Sequence, residues 1–580
     1  MAEQRWSVSR RNFLHGTVAA GVVAAGAVTG VPAKAAPPGR RVAVLGGGVA
    51  GLTAAHELAE RGFEVTVYEA RALGGKARSI PVAGTGRDGR PDLPGEHGFR
   101  FFPGFYRNLP DTMRRIPLHG NADGVWNNLI AVPEARFSRR GGDDISLALP
   151  GSGLPVTTAD AVRETLTASI TTTSRMPPEE AAYFANRLLV FNSSCQARRF
   201  GQWEHTSWRD FVQGHRRSRE FRAIVARTLT SIMVAAKEDL ASTRTIGSMG
   251  EQFLGNPLGI GNDGGLDRVL NNATNTAWID PWVAHLRGLG VRFELGARVT
   301  ELVVRDRRIG AARVTGVGEV EADYFVVAMP VEHARTLWSA DVLELAPQYA
   351  AMDRLHVDWM NGMQLYFLTP LRISRGHAAY VDSPWSLTSI SQNQLWTRKL
   401  ATFGDGSVAD CLSVDISDWH TPGVRYGKPA VECTHEEIFR EVWAQLSEHL
   451  NDREQLLRPA DLHSWFLDPG ITWQGGRNAN ADPLLINTAG SWDHRPEPHG
   501  PIENLFLAGD YVRTDVDLAT MEGANESART AVNALLDVAG SAAPRCELFR
   551  LSRTPGLEPL RVLDADRYAK GLPNLFDVPL

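Results

Sequence analysis

The chain has 580 residues, of which 43% are hydrophobic and 22% are charged, and its formal net charge is −5 at neutral pH. These fractions are those of ordinary globular proteins, and the length exceeds what one hydrophobic core holds, so about three or four domain-sized units are expected. The absence of a strongly basic stretch argues against a nucleic-acid-binding protein, and four scattered cysteines without a C-x-x-C pair argue against a metal knuckle or a disulfide framework.

The N-terminus has the pattern of an export signal. Ser9–Leu14 reads S-R-R-N-F-L, a twin-arginine pattern, and an apolar run at 17–31 and the A-x-A pattern Ala33–Ala35 follow it. The apolar run is about half the length that spans a bilayer, which favours a cleaved signal over a permanent anchor. We therefore predict a signal peptide over residues 1–35, read by the twin-arginine export machinery, and a periplasmic, cell-envelope or extracellular location. In an exported protein, one disulfide between Cys411 and Cys433 is an alternative, but four free thiols are favoured.

The stretch Arg41–Ala70 reads as strand, glycine loop, helix and strand. The short, valine-rich run Val42–Leu45 is typical of a buried parallel strand. The glycines after it have the G-x-G-x-x-G spacing, in which the first allows the tight turn, the second lets a pyrophosphate approach, and the third lets the helix pack on the strand. The free N–H groups at the start of the helix suit a diphosphate. The predicted contacts are Gly46, Gly48, Val49, Ala50 and Gly51.

An acidic residue follows the second strand of this unit. Gly62 ends the helix, Val65–Tyr68 forms the strand, and Glu69 stands at its end. A carboxylate there accepts hydrogen bonds from a ribose 2′-hydroxyl and repels a 2′-phosphate, so the site favours FAD or NAD over NADP.

A second glycine loop comes directly after Glu69. Its paired glycines allow the chain to pass close to a ligand, and the flanking cations would neutralise phosphate. The stretch resembles the E-A-R-x-x-x-G-G-K/R motif of the FAD family that includes amine oxidases and carotenoid desaturases. This resemblance implies that the loop wraps the ribityl and phosphate groups of FAD. The implied contacts are Ala70, Arg71, Gly74, Gly75 and Lys76.

Residues 95–108 are dense in glycine and aromatic residues, which suits a backbone pressed against a flat ring. They resemble the E-x-G-x-H-x-F-x-G-x-Y-x-N stretch of plant-type phytoene and zeta-carotene desaturases, except that Arg100 replaces the histidine. An arginine there would bind a carboxylate or stabilise anionic reduced flavin, or else it pairs with Glu96 for structure. The predicted flavin contacts are Gly98, Phe99, Arg100 and Phe101, and the predicted catalytic residues are Arg100, Glu96 and His97.

Residues 110–255 show no glycine fingerprint and are predicted as a mainly helical wall of the substrate site, with helices at Pro178–Val190 and Trp208–Ala236. Trp203, Trp208 and Phe211 would line a pocket or belong to the core. A further helix is predicted from Gly264-Gly265-Leu266 to about Gly290. The strands predicted after it are Val291–Leu295, Arg298–Arg305, Ala311–Val317 and Glu319–Ala328. This block resembles the second part of the family's flavin domain, in which the residue at Val299 meets the adenine.

Residues 335–495 alternate strands and loops, with a strand at Val357–Leu368 and a helix at Glu436–Leu450. The region is rich in aromatic side chains. They would form the floor of an elongated apolar substrate site, whereas core packing is the ordinary explanation for each residue separately. These side chains are Trp359, Tyr366, Phe367, Trp385, Trp396, Trp419 and Trp465.

The segment 504–536 points to FAD rather than NAD. A strand ends in Gly509-Asp510, and a helix begins near Met521–Ala524. The stretch is similar to the L-A-G-D and S-M-E-G-A motifs of phytoene desaturases, except that Glu526-Ser527-Ala528 replaces the usual S-G step. In that family Asp510 would bond ribityl or phosphate groups, and the helix N-terminus near Met521 and Ala524 would face the flavin edge where charge builds on reduction.

The predicted fold is α/β: a Rossmann-type FAD-binding domain of the glutathione-reductase type with an inserted α+β substrate domain. Three separate stretches (40–108, 256–335 and 496–540) make up the FAD-binding domain. The helical cap is predicted at 109–255, the substrate-binding domain at 336–495 and a C-terminal tail at 541–580.

The resemblance implies an FAD-dependent oxidoreductase and leaves the substrate open. No good second G-x-G-x-x-G for a nicotinamide cofactor exists, so hydride would pass from the substrate to flavin N5, and oxygen, a quinone or another acceptor would take the electrons. We predict a desaturase-like dehydrogenase acting on a small, apolar isoprenoid, lipid or similar organic substrate; hydroxysqualene dehydroxylase is a related possibility. No metal is predicted, and a peripheral membrane contact is left open.

Two other functions stay open. One is an exported amine or amino-acid oxidase that produces hydrogen peroxide. Many amine oxidases hold a lysine on the strand that enters the substrate domain, but Trp359–Leu368 contains none, and the nearest are Lys237 and Lys399. The other is a flavin-binding protein without turnover.

Overall fold

The computed structural model describes residues 40–98, 100–142, 144–148, 167, 176–232, 236–255, 261–262, 265 and 267–578. The predicted signal peptide (1–35), the predicted flavin contact Phe99 and the predicted helix start at Gly264 and Leu266 lie outside these residues.

A parallel sheet forms the centre of the cofactor-binding part of the fold. In spatial order, its described strands are Arg292–Leu295, Glu64–Glu69, Arg41–Leu45, Tyr324–Val327 and Leu505–Leu507. Two of the three inner strands, Arg41–Leu45 and Tyr324–Val327, are almost completely buried, as expected for apolar strands that are covered on both faces. The sheet confirms the predicted α/β fold, and it joins stretches that are far apart in the sequence.

Alternate residues of the central strand belong to different cores. Val42 and Val44 pack toward the helices Val49–Glu60 and Met521–Val538, which contact each other. Ala43 and Leu45 face a second layer that includes residues from 297 to 355. This alternation is the period of two expected of a strand, and it leaves the carboxyl end of the sheet beside both helix N-termini.

A second sheet forms the core of the other half of the fold. In spatial order, its described strands are Leu462–Leu467, Asn361–Phe367, Asp410–Ile416, Thr388–Ser391, His377–Tyr380, Glu134–Ser138 and Ile145–Ala148. Neighbouring strands run antiparallel, except that His377–Tyr380 and Glu134–Ser138 are parallel.

Smaller sheets and hairpins connect the two halves. Their strands are Ser79–Val82 with Leu93–Glu96; Phe102–Pro103 and Leu129–Ala131 on either side of Asp267–Leu270; Val299–Arg305, Arg308–Val314 and Gly318–Val320; His356–Asp358 with Leu484–Ile486; and Ile471–Gln474 with Arg477–Asn480.

The remaining α-helices are Asn108–Arg114, Pro178–Ser193, Gln196–Arg198, Trp208–Phe211, Arg219–Phe221, Thr243–Gly255, Asp280–Gly288, Val331–Ala334, Ala340–Leu345, His435–Leu450 and Glu558–Ala569. Segments of π-helix are Arg199–Trp203, Arg222–Ile232 and Asn275–Ile279. Segments of 3-10 helix are Gly75–Ala77, Gly124–Asn128, Gly214–Arg216, Arg335–Leu337, Pro347–Arg354, Leu400–Thr402, Ala430–Glu432, Pro459–Asp461 and Ser491–His494.

Several predicted elements were wrong in extent. The strand expected over Glu319–Ala328 is two strands, Gly318–Val320 and Tyr324–Val327, which belong to different sheets. The helix expected from Gly264 is preceded by the strand Asp267–Leu270, because this segment pairs with two distant strands, and helical structure begins only at Asn275. The helix expected over Trp208–Ala236 is broken into short segments, one break lying at Gln213, whose φ is 52°. The strand expected over Val357–Leu368 is interrupted between Asp358 and Asn361.

All four cysteines are buried and free, so the Cys411–Cys433 disulfide is not formed in this structure. Among the described helices, none combines the length and the apolar character needed to cross a bilayer.

Candidate active site

A cavity of about 1010 Å³ lies at the carboxyl end of the parallel sheet and extends to the second sheet. We name its two ends by the residues that line them. The glycine end is lined by Gly46–Ala50, Glu69–Arg71 and Gly74–Arg78. The inner chamber is lined by Phe101, Phe105, Tyr106, Ala135–Phe137, Met249, Phe253 and His377–Ala379.

The first glycine loop needs glycine for two geometric reasons. Gly46 has a φ of +120°, and a Cβ atom on it would lie 2.5 Å from the carbonyl oxygen of Ala328. A Cβ atom on Gly51 would lie 1.9 Å from the carbonyl oxygen of Gly46, so this glycine allows the helix to pack on the turn. Gly51 itself does not line the cavity, whereas Gly46, Gly48, Val49 and Ala50 do.

The N-terminus of the helix Val49–Glu60 faces this end of the cavity. Its N-cap residue is Gly48, which offers no side-chain oxygen to cap the first N–H groups. Such an N-terminus, with its uncapped N–H groups and the positive end of the helix dipole, is suited to a diphosphate.

Glu69 lines the cavity at the end of the second strand. Its carboxylate accepts hydrogen bonds from the backbone N–H of Gly47 at 2.8 Å and of Arg71 at 2.7 Å. These bonds fix the carboxylate beside both glycine loops, where the sequence pattern predicts a ribose contact.

The second glycine loop is attached to the first by a hydrogen bond from the N–H of Gly74 to the carbonyl oxygen of Gly47, at 2.8 Å. Two cations that we predicted to neutralise phosphate are paired with carboxylates. Arg71 makes a bidentate pair with the buried Asp482, and Lys76 Nζ lies 2.8 Å from Glu332.

The C-terminal FAD motif lies on the same cavity. Gly509, Asp510, Met521 and Ala524 all line it, as does Val299. Burial raises the pKa of Asp510, although Lys76 acts in the opposite direction. The helix Met521–Val538 begins at a cap in which Thr520 Oγ1 accepts the N–H of Gly523 at 3.0 Å.

The predicted catalytic residues are placed in different environments. His97 and Arg100 line the cavity, as do Gly98 and Phe101. Glu96 does not: it is buried and accepts hydrogen bonds from Thr274 and Ser79 at 2.8–3.0 Å.

Glu96 and Arg100 are nevertheless close enough to interact electrostatically. Burial lowers the pKa of Arg100, while Glu96 and Asp415 raise it. Burial raises the pKa of Glu96, whereas the positive charge of Arg100 lowers it. A direct contact of Glu96 with substrate is therefore not supported, and its remaining role is to balance the charge of Arg100.

The inner chamber combines apolar walls with paired charges. Phe105 meets Phe253 edge to face, with ring centroids 5.4 Å apart. Arg136 Nε donates to Asp144 at 3.0 Å, and His377 Nδ1 lies 2.5 Å from Asp267.

Of the two explanations for the aromatic residues of the second half, the structure supports core packing. None of Trp359, Tyr366, Phe367, Trp385, Trp396, Trp419 and Trp465 lines the cavity; they belong to, or pack against, the hydrophobic cores of the second half. The alternative of core packing holds, and it also holds for Trp203, Trp208 and Phe211.

The sequence analysis missed several cavity residues. Those that line the cavity without having been predicted include Gly47, Arg78, Arg136, Met249, Phe253, Arg298, Met329, Pro330, His377 and Asp415. Of these residues, Arg78 was the easiest to predict from the sequence, because it directly follows the second glycine loop. Arg136 and His377 carry no local motif, and the pairing of their two strands brings them together, whereas Met249 and Phe253 come from the helix Thr243–Gly255.

Comparisons with known proteins agree with this geometry. A family model described as flavin containing amine oxidoreductase matches residues 49–536. The 15-cis-phytoene desaturase of Synechococcus elongatus is 24% identical over 511 residues, which cover 86% of this chain and 96% of the relative. The zeta-carotene desaturase of Solanum lycopersicum is 24% identical over 530 residues, covering 85% and 80% respectively.

Solved structures show the same fold. A triple mutant of putrescine oxidase has a TM-score of 0.57 at 14% identity, covering 86% of this chain and 99% of its own. An oxidoreductase from Methanosarcina mazei has a TM-score of 0.54 at 12% identity, covering 86% and 100%.

The chain therefore belongs to the flavin-containing amine oxidoreductase family, and it is an FAD-dependent oxidoreductase. The cavity fits FAD, because Gly46 and Gly48 keep it clear of side chains beside the uncapped helix N-terminus, while Glu69 stands at the strand end. The predicted superfamily, cofactor and enzyme class are confirmed.

Proposed function

We propose that the protein is an exported dehydrogenase of the desaturase type, which removes hydride from an elongated, mainly apolar organic substrate such as an isoprenoid or a lipid. The observation that carries this proposal is the continuity of the cavity, which runs from the glycine end into the aromatic inner chamber. The relatives named as phytoene and zeta-carotene desaturases support an apolar substrate.

The charges in the inner chamber also favour a substrate without net charge. Arg136 is paired with Asp144, and His377 Nδ1 lies 2.5 Å from Asp267, so these side chains already have partners inside the protein. An ionic substrate would have to displace one of these internal partners, whereas an apolar chain would pack against the phenylalanines and leave the pairs intact.

Bound FAD supplies an acceptor for the hydride at its flavin ring. Arg100 and the N-terminus of the helix Met521–Val538 line the same cavity and would stabilise negative charge that develops there. The phenylalanines of the chamber exclude water and orient the substrate. The electrons would leave to oxygen, a quinone or another acceptor.

An amine oxidase is the second candidate, because the structural neighbours include putrescine oxidase. The lysines argue against it. Lys76 is the only lysine among the described residues that line the cavity, and it is paired with Glu332. Lys237 is paired with Asp358, and Lys399 Nζ donates to the carbonyl oxygens of Asn393 and Trp396.

Anaerobic bleaching of the flavin tests the proposal. The purified holoenzyme is mixed with polyenes, isoprenoid lipids, amines and amino acids, and the visible absorption of oxidised FAD is followed. We expect bleaching by a polyene or lipid and none by putrescine. Bleaching by amines alone would establish the oxidase instead.

A variant of the chamber wall sharpens this test. Phe253→Glu would place a carboxylate against the apolar substrate and raise KM at least about tenfold, since burying an unpaired charge is costly. Phe439→Glu is the matched control, because Phe439 packs on a different core. Equal effects of both variants would show that the loss comes from general destabilisation.

We also propose that residues 1–35 direct export by the twin-arginine route. The pattern Ser9–Leu14 and the cleavage pattern Ala33–Ala35 support this. Replacing Arg10 and Arg11 by lysine should retain the protein in the cytoplasm, measured by cell fractionation. Unchanged accumulation in the envelope or medium would refute export by this route.

A further inference from the structure

A histidine–aspartate pair lies in the wall of the cavity. His97 lines the cavity, and its Nδ1 atom lies 2.5 Å from Oδ2 of Asp468. The two residues are 371 positions apart in the sequence. The Asp468 side chain is only 2% exposed, so the pair is shielded from bulk water on the aspartate side.

The pair is held in place by the second sheet. Asp468 also accepts hydrogen bonds from Nδ2 of Asn361 at 2.7 Å and from the N–H of Gly470 at 2.9 Å. The carbonyl oxygen of His97 accepts the N–H of Gly362 at 2.5 Å. Backbone and side chain of His97 are therefore both attached to the ends of the strand Asn361–Phe367 and its neighbour.

The geometry defines which ring nitrogen carries the proton. Burial alone would raise the pKa of Asp468, but the hydrogen bond with His97 and the N–H donors of Gly470 and Asn361 lower it below its ordinary value. An ionised carboxylate can only accept, so Nδ1 of His97 must be the donor. In the neutral ring, Nε2 then keeps its lone pair, and it has no hydrogen-bond partner among the described residues.

We propose that Nε2 of His97 accepts the substrate proton during dehydrogenation, and that Asp468 and Asn361 are positioning residues for it. This inference rests on the proposed function, because desaturation of an H–C–C–H unit requires the loss of both a hydride and a proton. His97 is assigned this role because it lines the cavity and its Nε2 has no hydrogen-bond partner among the described residues.

The step balances in atoms and electrons. One hydrogen leaves with its bonding pair as hydride for the oxidised flavin, so two electrons pass from substrate to cofactor. The other leaves as a proton that forms an N–H bond at Nε2 of His97, and the pair of its C–H bond becomes the new π bond. The imidazolium that results faces the carboxylate of Asp468, which stabilises its charge.

Charged groups of both signs also interact electrostatically with this pair. Asp482 interacts electrostatically with His97, and Arg71 and Arg100 interact with Asp468. Asp415 faces Arg100 from the neighbouring strand. Of these groups, Asp468 alone is hydrogen-bonded to the imidazole.

Flavin reduction measured by anaerobic stopped flow tests the role of His97, with the polyene or lipid that bleaches the holoenzyme. We expect His97→Ala to slow reduction by about 100-fold or more, with FAD content retained, and added imidazole to restore part of the rate. Asp468→Asn should slow reduction less than His97→Ala does. The control is His449→Ala, which removes a histidine–aspartate pair that lies away from the cavity and whose imidazole is buried.

Histidine nitrogen NMR provides a readout without turnover. In ¹⁵N-histidine-labelled holoenzyme, the signal lost in His97→Ala should show the neutral Nδ1–H tautomer at mildly alkaline pH and should change in Asp468→Asn. An Nε2–H tautomer would overturn the inference. So would reduction of His97→Ala at the wild-type rate, or a loss of rate that imidazole does not rescue and that His449→Ala shares.

These results separate the two proposals. If no polyene or lipid bleaches the flavin, the proposed function fails whatever the tautomer of His97. If bleaching proceeds equally fast without the imidazole, the proposed function stands and the role of His97 as proton acceptor is refuted.

Discussion

The first glycine loop offers a pair of substitutions that separates helix packing from cofactor binding. Gly51→Ala should destabilise the protein itself, whereas Gly48→Ala should spare the fold and weaken FAD binding. Both residues belong to one motif, but their surroundings differ. A Cβ atom on Gly51 meets the carbonyl oxygen of Gly46 at 1.9 Å, whereas on Gly48 its nearest neighbour is the Cα atom of Gly75 at 3.8 Å.

The magnitudes follow from these distances. Ordinary Cβ contacts begin near 3.4 Å, so Gly51→Ala requires a backbone movement of about 1.5 Å. Overpacking of this kind lowers the free energy of unfolding by about 1–3 kcal/mol, and the higher helix propensity of alanine raises it by about 1 kcal/mol. Gly48 has φ −76° and ψ −171°, which alanine adopts without strain. Its methyl group would occupy space in the cavity and weaken FAD binding about tenfold or more, or about 1.4 kcal/mol.

Thermal unfolding of FAD-stripped protein and flavin fluorescence titration measure the two effects separately. Gly51→Ala should lower Tm without FAD and also weaken FAD binding, because the helix moves. Gly48→Ala should leave the FAD-free Tm within about one degree of the wild-type value, since its surroundings are open. The reasoning is refuted if Gly48→Ala lowers the FAD-free Tm as much as Gly51→Ala, or if both variants bind FAD normally.

Three further predictions concern charged residues. Burial raises the pKa of Glu526 from 4.5 to about 7. The protonated carboxyl therefore contributes its full stabilisation below pH 4.5, and this stabilisation is lost as pH rises through about 7. In Glu526→Gln the Tm should fall less over this pH range. Lys399→Met should leave the rate of flavin reduction unchanged, and a loss of about tenfold would support amine-oxidase chemistry instead. Arg71→Ala should lower the free energy of unfolding by about 1 kcal/mol, because buried Asp482 loses its bidentate partner. Arg71→Lys should recover part of this loss, and thermal unfolding measures both variants.

The sequence by itself determined the class of the enzyme and the glycine end of its cavity. Gly46, Gly48, Glu69 and Asp510, which the sequence predicted as cofactor contacts, all line the cavity, and the constraints on them are local. A turn with positive φ, a close backbone approach or an acid at a strand end requires a particular residue at a particular spacing.

Only the tertiary structure decided what forms the inner chamber. Strand Glu134–Ser138 comes from a region predicted as mainly helical, and it lines the chamber because it pairs with His377–Tyr380. The aromatic residues chosen for the floor are in the cores instead. Hydrophobic patterning shows that a side chain is buried, but it does not show whether that side chain faces a core or a cavity.

The same limit applies to the chemistry of residues 96–100. The sequence predicted both Glu96 and His97 as catalytic residues. In the structure, Thr274 and Ser79 donate hydrogen bonds to the carboxylate of Glu96. Asp468 instead orients the imidazole of His97. Each of these contacts joins residues that are distant in the chain or lie on different strands. Local motifs therefore predicted the glycine end of the cavity, and long-range packing decided which side chains form the inner chamber.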